Sequence, residues 1–256
     1  MSIDLVNVFR KKLSNEGVLG IFMKTSDPAF VEAAGYAGMD FVILDMEHGP
    51  VGLESMQNNI RAAQLAGALP IIRTNSLSET AISQALDVGA VGVQIPQVCT
   101  AEQAKLAVKF AKYHPIGERG VCRFVRAAKY SATPREQFFS SSNENTIIIV
   151  QLEGASGIEK LDEILAVKGI DILFIGPYDL SQSFGLPGQI SHPTVVTAMK
   201  NIVERARKHN VITGVFADTP EMLAVWRDSG VRYLSYSVDV GIFHDACASI
   251  RWETTS

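Results

Sequence analysis

Long apolar runs are missing from this chain: nowhere does one approach the roughly 18 residues of a membrane span, so no membrane partner is expected. Basic runs are short as well. None exceeds Arg10-Lys11-Lys12, and Lys plus Arg (23) fall below Asp plus Glu (27), giving a formal net charge of -4. The electrostatic footprint that phosphate-backbone binding needs is therefore absent, and nucleic acid is not an expected partner. The three cysteines, Cys99, Cys122 and Cys247, form no C-x-x-C and have no histidine nearby at zinc-ligand spacing. They read as free thiols of a cytoplasmic protein. Neither GxGxxG nor GxxxxGK[ST] occurs, which argues against a nucleotide cradle. The opening MSIDLVNVFRKKLSNEG lacks the unbroken apolar core of a signal peptide and has the apolar spacing of a helix instead.

What the chain does have is a recurrent alternation. Its 256 residues, 47% hydrophobic, suffice for a sizeable core, and the low net charge excludes a disordered chain. Short runs rich in Val, Ile, Leu and Phe occur at Val18–Phe22, Phe41–Asp45, Pro70–Arg73, Val91–Ile95, Ile147–Leu152, Asp171–Ile175, Val211–Phe216 and Val231–Ser235. They do not alternate cleanly with polar residues, as expected of parallel strands buried on both faces.

Stretches with helical periodicity separate them: Pro28–Ala37, Leu53–Ala66, Leu77–Val88, Ala101–Tyr113, Ile158–Val167, Pro193–Lys208 and Pro220–Ser229, with Val240–Trp252 closing the chain. Proline marks several starts and glycine several stops. About eight strand–helix units without a linker predict one (β/α)₈ TIM barrel over residues 1–256, with an open doubly wound sheet as the alternative. The long segment from His114 to Asn145 carries only a short expected helix after Pro134 and reads as an active-site or subunit-contact loop.

In a parallel barrel the chemistry lies at the C-terminal ends of the strands. LDMEHG presents Asp45, Glu47 and His48 there, PIIR presents Arg73, VQLEG presents Gln151 and Glu153, and IGPYDLS presents Asp179. A helix cap would explain any one of these acidic residues. Glu153 and Asp179, however, follow adjacent strands, and two hard oxygen donors suit Mg²⁺ or Mn²⁺ completed by water and a chelating substrate. A carboxylate beside His48 would orient the imidazole and raise its basicity. Arg73, a cation at a buried strand end, needs an anionic partner, which favours a bound carboxylate or enolate oxygen. A lysine Schiff base would be another route to carbon–carbon chemistry, but only Lys24 lies near any strand end.

These motifs together identify a resemblance. LDMEHGP, PIIRTN, ALDVGAVGVQIPQV, GERGV, VQLEG and FIGPYDLSQSFG follow the order and spacing of the class II pyruvate aldolases of the HpcH/HpaI family. The resemblance covers most of the chain. It implies a barrel whose last helix is exchanged with a neighbouring subunit in a homo-oligomer, usually a hexamer. It further implies a divalent metal (Mg²⁺, Mn²⁺ or Co²⁺) on Glu153 and Asp179 with Gln151 beside it, His48 supported by Asp45 as acid/base, and Arg73 as enolate stabiliser.

By the same resemblance, backbone amides of Gly176-Pro177-Tyr178 receive the substrate carboxylate, and Asp87 reaches an adjacent subunit's site. Alanine is common in the family at the position of Tyr178, so the ring there bears on the aldehyde. The implied reaction splits a 4-hydroxy-2-oxoacid reversibly into pyruvate and an aldehyde. A lyase acting on an acyl-CoA thioester, an oxaloacetate decarboxylase and a non-catalytic 2-oxoacid-binding barrel are the rivals.

Overall fold

The computed structural model describes residues 3–250. Eight parallel strands run β1 Val18–Met23, β2 Phe41–Asp45, β3 Leu69–Arg73, β4 Gly92–Ile95, β5 Ile147–Leu152, β6 Ile172–Ile175, β7 Ile212–Ala217 and β8 Tyr233–Val238. Each pairs with its sequence neighbours, and β8 pairs with β1, so the sheet closes. The open-sheet alternative is thereby excluded. The strand runs expected from sequence lie within a residue or two of those observed, except at the last. There β8 continues to Val238 across an irregular register with β1, and Ser237 adopts a φ of 51°.

The strands are buried on both sides, which is why their apolar content does not alternate. Val42, Leu44, Ile72, Val93, Ile148, Val150, Leu173 and Leu234 face the helical layer, while Phe41, Ile43, Leu69, Ile71, Ile147, Ile149, Ile172 and Phe174 fill the barrel. Phe41 stacks on Tyr233 at 4.0 Å between ring centroids. That stack needs Gly20 on β1, since a Cβ there would come within 2.4 Å of the Phe41 ring.

Helices α2 Pro28–Tyr36, α3 Leu53–Leu65, α4 Glu79–Asp87 and α5 Ala101–Ala111 follow the first four strands. Side-chain caps from Asp27, Ser78 and Thr100 start three of them, the last as a full capping box with Gln103. Before β1, α1 (Ile3–Asn15) lies outside the strand–helix repeat. It inserts Val6, Phe9 and Leu13 into the N-terminal end of the barrel, where Phe9 meets Phe41 and Tyr233 edge-on.

The second half departs further from expectation. The segment from His114 holds a 3₁₀ turn at Arg126–Ser131 and α6 at Arg135–Asn145, the latter where a short helix was expected. The expected helix at Ile158–Val167 is two short ones, α7 Ala155–Glu159 and α8 Leu161–Leu165, because Lys160 leaves helical geometry. A short helix not foreseen, α9 Pro177–Ser183, starts immediately after β6. Then come α10 Pro193–Lys208, α11 Pro220–Asp228 and α12 Asp239–Ser249. The expected last helix reaches Trp252, which lies outside the described residues. Among the described residues, no helix is long and apolar enough to cross a membrane.

Candidate active site

The C-terminal strand ends open into a cavity of about 330 Å³. Phe22, Phe174, Phe216 and Val238 form its apolar walls, and Lys24, His48, Arg73, Gln151 and Asp179 its polar ones.

Arg73 ends β3 beside the end of β2, in register with Asp45. Its Nε and Nη2 donate to the two Asp45 oxygens at 2.8 and 2.7 Å. Nη1 stands 2.9 Å from Glu47 Oε2, out of hydrogen-bond alignment, and the guanidinium lies over the Phe22 ring at 4.8 Å. Sequence reasoning sought a bound anion for this buried cation. The chain supplies two of its own.

Asp45, in consequence, does not hold the His48 imidazole as expected. It takes the backbone N–H of Glu47 at 3.1 Å and of His48 at 3.3 Å, and both its oxygens are committed to Arg73. Burial alone would raise its carboxyl, but the hydrogen bonds and charge of Arg73, with those two N–H groups, hold it below the ordinary carboxylate range. The imidazole sits at the cavity rim, its side chain 59% exposed, with Glu47 Oε2 4.0 Å from Nε2.

The acidic wall lies at the ends of β5 and β6. Glu153 accepts from the Gln151 amide on one oxygen and from the Gln97 backbone N–H, at 2.9 Å, on the other. The Gln151 carbonyl accepts in turn from Gln94 of β4. Gln97 takes a φ of 56°, an unfavourable conformation for a side-chain-bearing residue, held where it serves Glu153. Gly176 keeps the approach open, for a Cβ there would stand 2.9 Å from Glu153 Cγ.

Burial pushes the Glu153 carboxyl up to about 7 against the hydrogen bond from Gln151, and the nearby charges of Glu47 and Asp179 push the same way. Glu47 is also raised, first by burial, against the charge of Arg73 and with those of Asp45 and Asp179. Its Oε2 is buried without a hydrogen-bond partner. Glu153 and Asp179, close enough for the charge of one to raise the other, are oxygen donors of the kind a hard divalent cation takes. Among the described residues no three His, Cys, Asp or Glu side chains stand close enough to form a complete cage. Such an ion would thus take part of its coordination from water or substrate.

Pro177 and Tyr178 open α9, with Asp179 in its first turn. The expectation for this segment needs one correction: Pro177 has no N–H, and that of Gly176 donates to Leu152 at 3.1 Å. Only the N–H groups from Tyr178 onward remain to receive a carboxylate. The Tyr178 hydroxyl donates to Asp218 at 2.7 Å, and burial, then Asp218, pushes it up to about 12. Asp87 is elsewhere: it ends α4, lines no part of the cavity, and pairs at 2.5 Å with Arg119 of GERGV. No residue from 114 to 145 lines the cavity either, so that segment does not build the site of its own chain.

Sequence reading passed over Gln94, Gln97 and Asp218. VQIPQ at the end of β4 was the available signal for the first two, since polar residues at a strand's C-terminal end belong to the barrel's mouth.

Fold and site together define an α/β-barrel enzyme with an acidic centre and a buried arginine at the strand ends. The family model described as HpcH/HpaI aldolase/citrate lyase matches residues 18–246. The 2-keto-3-deoxy-L-rhamnonate aldolase of Escherichia coli (strain K12) is 34% identical over 96% of this chain and 92% of its own length. The 2-dehydro-3,6-dideoxy-6-sulfogluconate aldolase of Pseudomonas putida is 33% identical over 88% and 87%. Among solved structures, an HpcH/HpaI aldolase/citrate lyase family protein from Burkholderia cenocepacia J2315 superposes with a TM-score of 0.90 at 31% identity, covering 95% of this chain and 97% of that one. The chain belongs to the HpcH/HpaI aldolase/citrate lyase family.

Proposed function

We propose that this protein, an aldolase of the HpcH/HpaI family and so a pyruvate-dependent aldehyde-lyase, splits a 4-hydroxy-2-oxoacid to pyruvate and an aldehyde with a divalent cation held by Glu153 and Asp179. The observation that carries this reading is the pair of carboxylates at the ends of β5 and β6: Asp179 lines the cavity that His48 and Arg73 share, and the buried Glu153 is bonded to Gln151 of the same lining. Mg²⁺, Mn²⁺ or Co²⁺ bound there supplies Lewis-acid polarisation of the 2-oxo group.

The chain's own residues do the rest. Free N–H groups in the first turn of α9 hold the substrate carboxylate, and Gln151 keeps Glu153 in place. His48 Nε2 takes the proton of the C4 hydroxyl, the C3–C4 bond breaks, and the aldehyde leaves toward the open rim. The electron pair left on C3 delocalises onto the oxygen beside Arg73, whose charge steadies it until C3 is protonated. The three free thiols suit a reducing compartment such as the cytoplasm.

The oligomeric part of the proposal has its own support. Ile242, Phe243 and Ile250 are 37%, 58% and 79% exposed along α12 and its end, a stripe suited to a neighbouring barrel in a homo-oligomer such as a hexamer. Asp87, steadied by Arg119 at the far end of α4, then serves the site of an adjacent subunit. Mixing two inactive variants, Asp87→Ala and His48→Ala, regenerates activity if subunits exchange and share sites. Full activity of Asp87→Ala alone removes the shared site.

The main test is pyruvate release from a panel of 4-hydroxy-2-oxoacids by chelated protein, before and after Mg²⁺, Mn²⁺ or Co²⁺ is added. Activity must vanish on chelation and return with metal. Borohydride added with pyruvate must not inactivate the enzyme, because a trapped pyruvyl-lysine overturns the metal reading.

A further inference from the structure

Lys24 is the first residue after β1 and lines the cavity with its side chain 30% exposed. Its position is fixed from behind. The buried carboxylate of Asp239, the first residue of α12, accepts the backbone N–H of Lys24 on both oxygens at 3.0 Å. It also accepts the backbone N–H of Thr25 at 2.9 Å and the Thr25 hydroxyl at 2.8 Å. Asn59 of α3 holds the Thr25 carbonyl at 3.2 Å. The backbone that carries the Lys24 side chain is thus firmly placed.

The Lys24 ammonium is largely uncommitted. Among the described residues its single ionic neighbour is Asp45 Oδ2, at 4.0 Å, and Asp45 is already held through both oxygens by Arg73. Arg73, also in the cavity wall, already has two carboxylates close by, Asp45 at 2.7 Å and Glu47 at 2.9 Å. The same cavity carries apolar side chains: Phe22 on β1, two residues before Lys24, and Phe216 and Val238 from β7 and β8. In the closed order of eight strands, β1 stands opposite β5, where Glu153 lies. A substrate anchored by its oxoacid end on the β5–β6 side therefore points its other end toward Lys24. A point charge lining a cavity and short of a close partner selects an anion.

We propose that Lys24 is a specificity-determining residue that binds an anionic terminal group, a carboxylate or sulfonate, on the aldehyde half of the substrate. This rests on the aldolase reading of the same cavity. The test compares aldehydes matched in length and different in charge, with pyruvate as the second substrate: glyoxylate against glycolaldehyde, and succinic semialdehyde against 4-hydroxybutanal. In the wild-type enzyme kcat/KM favours the charged member of at least one pair. Lys24→Met lowers that preference at least tenfold, mainly through KM, and Lys24→Arg keeps most of it because the charge remains. Thermal melting checks that both variants fold.

A Lys24→Met variant that loses the charged and neutral substrates in equal proportion overturns the proposal, since that is the signature of a residue that merely supports Asp45. Absence of any charge preference in the wild type overturns it too. Failure of the aldolase reading shows separately, as wild-type protein with metal that does not exchange the C3 protons of pyruvate for deuterium.

Discussion

The two ends of this barrel are made from the same eight strands and do opposite things with burial. At the N-terminal end, α1 seats Val6, Phe9 and Leu13 against Phe41 and Tyr233, an aromatic plug whose rings meet edge-on or stacked. At the C-terminal end, side chains at equally low exposure include Asp45, Arg73, Gln94, Gln151 and Glu153. The first end stabilises the fold by removing apolar surface from water. The second holds charges where water would otherwise screen them, which costs stability and sharpens electrostatics. The division explains why one fold tolerates a strained Gln97 and a repelling carboxylate cluster at its mouth.

The division is tested most severely at His48. His48→Ala should lower aldol turnover by about 10²–10⁴, the usual scale of general acid/base catalysis, with the melting temperature nearly unchanged because the ring is largely exposed. Wild-type turnover in that variant makes His48 structural and blurs the contrast. Phe9→Ala should do the converse, destabilising the protein by about 3–5 kcal/mol in urea unfolding while kcat/KM stays within roughly twofold. Arg73→Lys sits between the two, because it keeps a charge but loses the fork that grips Asp45. Turnover should fall roughly 10-fold or more, and stability should drop too.

The smallest effect is in pH. Glu153, at about 7, lies above the ordinary 4.5, so the folded state holds its proton more tightly than the unfolded one. The associated stability is fully present below about pH 4.5 and is lost as pH rises through about 7. Chelated protein should therefore melt at progressively lower temperature between those values. Glu153→Gln should flatten this dependence, and added Mn²⁺ should restore the melting temperature above pH 7. A wild-type profile as flat as that of the variant would mean that Glu153 ionises freely.

The apolar end and the residue types of the polar end are legible in the sequence for different reasons. Strands buried on both faces leave unbroken runs such as IIIVQL, and strand–helix order then determines which ends gather at the mouth, so Asp45, Arg73, Glu153 and Asp179 are locatable from residue order alone. Pairings are another matter. That Arg73 takes both oxygens of Asp45, which then reaches His48 only at its backbone N–H, depends on the register between β2 and β3. That Gln97 holds Glu153 depends on a backbone conformation no residue pattern announces. Short helices after strands, such as α9 and the split pair α7 and α8, are also hidden, since fewer than two turns give too little periodicity to recognise.

The Asp239 contact gives this molecule an order of manufacture. Lys24 and Thr25 leave the ribosome long before the carboxylate that fixes their backbone, which is encoded 215 and 214 positions later. A nascent chain can pair its first strands and begin to bury its core, as domains do during synthesis. The rim of the cavity nevertheless waits for α12 to emerge, and the strand just before that helix also closes the barrel. Chemical competence is thus withheld until synthesis has passed residue 239, and a chain cut short before it would carry nearly every residue of the site with its first loop untied.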